Sequence, residues 1–118
     1  MQDIEILIPT FNEEKNLPIT IKSLNENGFY NITVVDGKSK DNTVKVAKEK
    51  NCKVLIDPEE RMGFGYSVIN GIISSTSKYI CIFDADGSFD PTTIIKMKAM
   101  LEVNKLDFVF GSRYLGSN

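Results

Sequence analysis

Two carboxylates one residue apart, Asp84 and Asp86, follow directly on the apolar run Tyr79-Ile80-Cys81-Ile82-Phe83. A short run that is aromatic at both ends and rich in β-branched residues reads as a strand buried on both faces. Side chains alternate along a strand, so the two acids point the same way if the strand continues through them. Like charges held that close repel unless a cation lies between them. A hard divalent ion does this well, because Mg²⁺ and its relatives take one or two protein carboxylates together with substrate phosphates. One reading is therefore a metal–diphosphate site at the carboxyl end of a central strand, the edge where open α/β sheets bind ligands. The other is a solvated acidic turn. Gly87 lets the chain turn sharply, and Asp90-Pro91 offers an N-cap and a first-turn proline to the helix that follows.

The rest of the chain must position those acids. Residues 4–8 read as a first strand ended by Pro9, and Thr10-Phe11-Asn12-Glu13-Glu14 as a polar loop. Asn16 is placed to cap a helix over residues 17–27, with Leu17, Ile21 and Leu24 on one face and Gly28 at its end. Residues 32–35 form a second strand stopped at Asp36-Gly37. Asp41 is placed to cap a helix to about residue 51. Residues 53–56 form a third strand ending at Asp57-Pro58. A charged, then glycine-rich connection (residues 59–65) leads to a helix reaching about Ser75, with Val68, Ile69, Ile72 and Ile73 on its expected buried side. After the acidic turn comes a helix over residues 91–104, with Ile94, Met97 and Leu101 inward, and a last short strand at 108–110. Strands alternating with helices of this length imply an α/β, Rossmann-like three-layer αβα domain with a mostly parallel central sheet.

The 118 residues suffice for one domain with a real core. Hydrophobic residues make up 42% and charged residues 25%, an ordinary globular mix, and the net charge of −2 supplies no basic face for nucleic acid. No apolar run approaches the ~18–20 residues of a membrane span, and no secretory leader is evident. A cytoplasmic location is expected, with contact at a membrane surface left open. Cys52 and Cys81 read as small buried hydrophobes rather than a disulfide framework. The chain has no histidine, which excludes His-dependent triads and His-ligated zinc and leaves a carboxylate, Lys, Tyr or Cys as any general base.

Each strand hands over to a loop at the same sheet edge. Those loops carry Asn12 and Glu13, then Asp36, then Arg61 and Gly63, then Asp84 and Asp86, then Ser112 and Arg113. Acids suit a metal ion, arginine suits phosphate oxygens, and acceptors such as Asp suit base and ribose. Gly63 and Gly65 resemble a phosphate cradle before a helix, but their spacing is neither a P-loop nor a dinucleotide fingerprint, and the preferred reading is loop glycines that end a connection. Glu14 is read as favouring a helix N-terminus.

In order, the segments Ile8-Pro9-Thr10-Phe11-Asn12-Glu13, Val34-Val35-Asp36-Gly37-Lys38-Ser39-Lys40-Asp41-Asn42-Thr43, Arg61-Met62-Gly63-Phe64-Gly65, Phe83-Asp84-Ala85-Asp86-Gly87-Ser88-Phe89-Asp90-Pro91 and Gly111-Ser112-Arg113-Tyr114 resemble family-2 glycosyltransferases. The resemblance leans to the polyprenyl-phosphate branch that includes the dolichol-phosphate mannose synthases. It implies a GT-A fold, a GDP- or UDP-linked sugar donor, Mg²⁺ or Mn²⁺, and inverting transfer by direct attack of an acceptor oxygen on the anomeric carbon. It places Pro9, Thr10, Phe11, Asn12, Glu13 and Asp36 around base and ribose, Arg61 and Gly63 near the phosphates, and Asp84, Ala85 and Asp86 at ribose and diphosphate. Asp84 and Asp86 are the implied metal ligands, and Arg113 lies near the donor or acceptor phosphate. Ser88 and Gly37 depart from the family pattern, where a further metal contact and a second acid are frequent.

The resemblance covers the donor-binding half. The acceptor surface and the general base belong to the later half of the family's catalytic domain, so no catalytic base is assigned here. The chain is expected to bind nucleotide and metal weakly without turnover, and to self-associate through an uncovered edge or helix face. Two other readings stay open: a sugar nucleotidyltransferase, which would want a Gly-rich basic loop where Thr10-Phe11-Asn12-Glu13 stands, and a non-catalytic half-domain.

Overall fold

The computed structural model describes residues 3–59, 63–87 and 90–104. Strands and helices alternate as β1 (Ile4–Thr10), α1 (Leu17–Glu26), β2 (Ile32–Asp36), α2 (Thr43–Glu49), β3 (Lys53–Ile56), α3 (Phe64–Ser74), β4 (Tyr79–Ile82) and α4 (Thr92–Asn104). The strands lie in the order β3-β2-β1-β4, and every pairing is parallel. The order reverses between β1 and β4, which makes their carboxyl ends the crevice where such sheets take ligands. The strand expected at 108–110 lies outside the described residues.

Period-two alternation explains the layers. Ile4, Ile6 and Ile8 of β1 join Ile32 and Val34 of β2, Leu17, Ile21 and Leu24 of α1, Ala47 of α2 and Ile94 of α4 in one buried cluster. The other face of β1 and β2 presents Leu7 and Val35 to α3. Helices thus cover both faces, as the αβα reading anticipates.

α3 corrects the expected helix face. Its buried residues are Ser67 and Gly71, whereas Ile69 is 58% and Ile73 77% exposed, and Ile72 is also exposed. The reason is close approach: a Cβ at Gly71 would stand 2.8 Å from Leu7 Cδ1 and 3.2 Å from Val35 Cγ2. Small residues let the backbone rest on the sheet, and the bulky isoleucines are turned aside. Phe64 and Tyr66 are exposed on the same helix.

β4 corrects a second expectation. Tyr79, Ile80 and Cys81 are half-buried and Ile82 is exposed, so the strand is not buried on both faces; β1 and β2 are the strands that are. Among the described residues β4 is the outer strand beyond β1. Helix starts also differ in detail. Asn16 precedes α1 without a side-chain capping bond. Asp41 instead accepts the Thr43 amide at 3.0 Å, and Asp90 accepts the Thr92 amide at 2.9 Å, which satisfies first-turn donors of α2 and α4.

At the amino-terminal edge of the sheet, Glu5 is buried and accepts hydroxyls from Thr33 (2.5 Å), Ser75 (2.6 Å) and Ser77 (3.1 Å). Burial pushes its carboxyl up, but the three hydroxyls and the charge of Lys53 outweigh that and hold it below its ordinary value. The network fastens the end of α3 to β1 and β2, at the edge opposite the candidate site.

Candidate functional site

The loops after β1 and β2 are stitched together. Thr10 donates its hydroxyl to Asp36 Oδ1 at 2.7 Å, and Gly37 donates its amide to the Thr10 carbonyl at 2.9 Å. Asp36 is fully buried and also accepts the Ser39 amide (2.7 Å) and hydroxyl (2.6 Å). Ser39 in turn accepts the Asn12 amide at 2.8 Å, and Asn12 Oδ1 accepts the Lys40 amide at 2.9 Å. Further along, the Glu13 amide donates to Thr43 Oγ1 (2.9 Å) and the Glu14 amide to Asp41 Oδ2 (3.2 Å). Asn12 and Lys38 hold left-handed backbone conformations, with φ of 54° and 62°, at the crossings of this mesh. The side chains of Ser39, Asp41 and Thr43 thus serve as acceptors for the amides of a neighbouring loop that has no ladder of its own.

Beside the mesh lies a cleft of ≈ 280 Å³, lined by Pro9, Thr10, Phe11, Gly37, Asp57, Gly63, Phe64 and Ser67. Of the residues singled out from sequence, Pro9, Thr10, Phe11 and Gly63 form its walls. Asn12, Glu13 and Asp36 do not line it and instead tie the loops to one another. Gly37 is a wall because it has no side chain: a Cβ there would stand 3.6 Å from the Phe11 ring and 3.9 Å from Asp57 Oδ2. Gly63 has φ of 98° and ends the connection into α3, while Gly65 lies inside that helix rather than in a cradle loop.

Asp57 was legible only as the end of a strand, yet it is buried in the cleft wall. Its amide donates to the Asp36 carbonyl at 2.8 Å, continuing the β2–β3 pairing. Its carboxylate accepts the Ser67 hydroxyl at 2.5 Å and the Asn70 amide at 3.4 Å. The signal available in sequence was positional: Asp57 ends a strand at the same rim as Asp36.

Across β1 from the cleft stands the acidic turn. Burial alternates through it: Phe83 and Ala85 are buried, Asp84 is half-buried and Asp86 is exposed. Both acids therefore lie away from the core although the strand itself ends at Ile82. Backbone carbonyls anchor the turn: Phe83 donates its amide to the Leu7 carbonyl at 2.9 Å, and Thr20 of α1 donates its hydroxyl to the Ala85 carbonyl at 2.8 Å. Among the described residues, no three His, Cys, Asp or Glu side chains gather as a metal cage. The acid pair fits Mg²⁺ or Mn²⁺ in the manner of ions that keep water and substrate phosphates as their remaining ligands. Arg61, Arg113, Ser88 and Ser112 lie outside the described residues.

The cysteines take no part. Both are half-buried and free, and burial pushes each thiol up to about 11, so neither is a thiolate nucleophile at neutral pH.

Comparison with known proteins bears on the same residues. The model of Glycosyl transferase family 2 matches residues 5–118. An uncharacterized glycosyltransferase of Mycobacterium tuberculosis is 33% identical over 110 residues, which cover 93% of this chain and 48% of that protein. The UDP-N-acetylglucosamine–dolichyl-phosphate N-acetylglucosaminyltransferase of Methanococcus voltae is 32% identical over 129 residues, covering 93% of this chain and 51% of that protein. The chain spans about half the length of the curated relatives it matches. Among solved structures, the glucosyl-3-phosphoglycerate synthase of M. tuberculosis, in complex with Mn²⁺, UDP-glucose and phosphoglyceric acid, shares the fold with a TM-score of 0.70 at 18% identity, over 83% of this chain and 39% of that one.

Proposed function

Because the chain belongs to glycosyl transferase family 2, we propose that it is the donor-binding half of a glycosyltransferase that takes a UDP-linked sugar and a divalent cation, Mg²⁺ or Mn²⁺. The observation that carries this is the position of the cleft and the Asp84–Asp86 turn on either side of the β1 carboxyl end. Strands β2 and β4 flank β1, so their ends stand roughly 10 Å apart at the usual strand spacing. An extended nucleoside diphosphate bridges that distance, with the base in the cleft and the diphosphate toward the acids. Choice of UDP follows the Methanococcus voltae relative and the UDP-bound structural neighbours.

The chemistry is leaving-group chemistry. An acceptor oxygen attacks the anomeric carbon, the bond from that carbon to the diphosphate breaks, and negative charge grows on the departing oxygen. A divalent cation, when bound, would supply opposite charge to the leaving group. Asp84 and Asp86 are the residues that would hold it. Phe83, Ala85 and Thr20 keep that turn in place. The acceptor is proposed as a polyprenyl phosphate, on the strength of the same relative, which sets the reaction at a membrane surface. Among the described residues no helix is long and apolar enough to cross a membrane.

Calorimetric titration of UDP and GDP, each with and without Mn²⁺, on the chain and on Asp86→Ala tests the donor reading. UDP binding that needs Mn²⁺ and is lost in the variant is expected. UDP affinity that is absent, or equal in the presence and absence of metal and in the variant, overturns it.

A further inference from the structure

We infer that Asp57 is the residue that selects the base of the donor nucleotide, by accepting the ring N–H of a uracil. The inference rests on the donor reading and adds to it a carboxylate at the end of β3.

Three observations meet at this side chain. Asp57 is 1% exposed and lines the cleft, with Oδ2 3.9 Å from the position a Cβ of Gly37 would take. Its backbone is pinned by the 2.8 Å bond to the Asp36 carbonyl. Among the described residues its two oxygens each receive one protein donor, Ser67 on Oδ2 and Asn70 on Oδ1. An ionised carboxylate has about four acceptor positions, so protein donors leave acceptor capacity on both oxygens.

Asp36 is differently placed. Its oxygens are taken by Thr10 and by both donors of Ser39, it is 0% exposed, and it does not line the cleft. Asp36 sets the loops, and Asp57 faces the ligand.

A buried group that only accepts hydrogen bonds discriminates by what the ligand can donate. Uracil carries a hydrogen on N3. Cytosine has a bare lone pair at the same ring atom, which would oppose the carboxylate. A site with an unmatched buried acceptor rejects the wrong analogue strongly, because both groups lose water without gaining a bond. Guanine also carries a ring N–H, but the ≈ 280 Å³ cleft lies at the small end of ligand pockets, which run from roughly 300 Å³ upward, and so favours a single ring. Phe11 and the exposed ring of Phe64 stand at the same cleft as apolar surfaces for the base.

The test titrates UDP, CDP and inorganic pyrophosphate, all with Mn²⁺, against the chain and Asp57→Asn. Expected is a preference for UDP over CDP of tenfold or more. In D57N, UDP affinity drops at least tenfold, the preference narrows, and pyrophosphate affinity stays within twofold. A second measurement needs no variant: UDP methylated at N3 binds the unaltered chain at least tenfold more weakly than UDP. Mn²⁺-dependent UDP binding with equal affinity for the methylated nucleotide, or no narrowing in folded D57N, overturns the role of Asp57 and leaves the donor reading intact. Failure of the unaltered chain to bind UDP overturns both.

Discussion

Thr20, in the first helix, donates its hydroxyl to the carbonyl of Ala85, 2.8 Å away and 65 positions later in the chain. The acceptor is the residue between the two acids of the turn. A helix packed on one side of the sheet therefore sets the position of a carboxylate pair at its edge.

Thr20→Val keeps the shape and removes the donor. The buried Ala85 carbonyl then lacks this partner, at a cost of about 1–3 kcal/mol. Urea denaturation should show that loss. Mn²⁺-dependent UDP affinity should fall several-fold in the same variant, because Asp84 and Asp86 lose their fixed turn. Stability and affinity both unchanged would mean that the bond does not hold the turn.

Gly71→Ala and Gly65→Ala should move stability in opposite directions. At Gly71 the new methyl meets Leu7 at 2.8 Å in a packed layer, and such overpacking costs about 1–3 kcal/mol. At Gly65 nothing lies within 4 Å among the described residues, and replacing a helical glycine by alanine gains roughly 0.5–1 kcal/mol. Paired melting curves read both. A tolerated Gly71→Ala would show that α3 stands farther from the sheet than described.

Glu5 predicts an acid-sensitive fold. Its carboxyl is buried, which raises its proton affinity, but the hydroxyls of Ser75, Thr33 and Ser77 and the charge of Lys53 bring the balance below the ordinary 4.5. A group depressed on folding contributes stability that is full above its unfolded value and is lost as pH falls through the folded one. The stability difference between the unaltered chain and Glu5→Gln should therefore be level from neutral pH down to about 4.5 and shrink below that. A difference that stays flat or grows on acidification contradicts the assignment.

Much of this was legible beforehand, for physical reasons that also mark the limit. Runs of four or five mostly apolar residues, stopped at Pro9, Asp36 and Asp57, have one natural reading as strands, and their spacing leaves room for little but parallel crossovers. That topology alone carries Thr10, Asp36, Asp84 and Asp86 to one edge. Periodicity reports that a helix has an apolar stripe, not that the stripe is covered. Ile69, Ile72 and Ile73 satisfied the pattern, while close approach at Gly71 chose the opposite side. Asp57 escaped notice because Asp-Pro after a strand is ordinary turn chemistry, and only its bonds to Ser67 and Asn70 set it apart. The Thr20–Ala85 bond leaves no local trace at all, since both partners are common residues in unremarkable positions.

The mesh between the loops after β1 and β2 has a consequence for how the molecule breathes. Amides of Asn12, Glu13 and Glu14 are protected by side chains of the second loop, and the amide of Lys40 by a side chain of the first. Neither loop can open to solvent alone, so these amides should exchange their hydrogens together, as one cooperative unit. A ligand entering the cleft finds that wall already preorganised, and its binding free energy is not spent on ordering it.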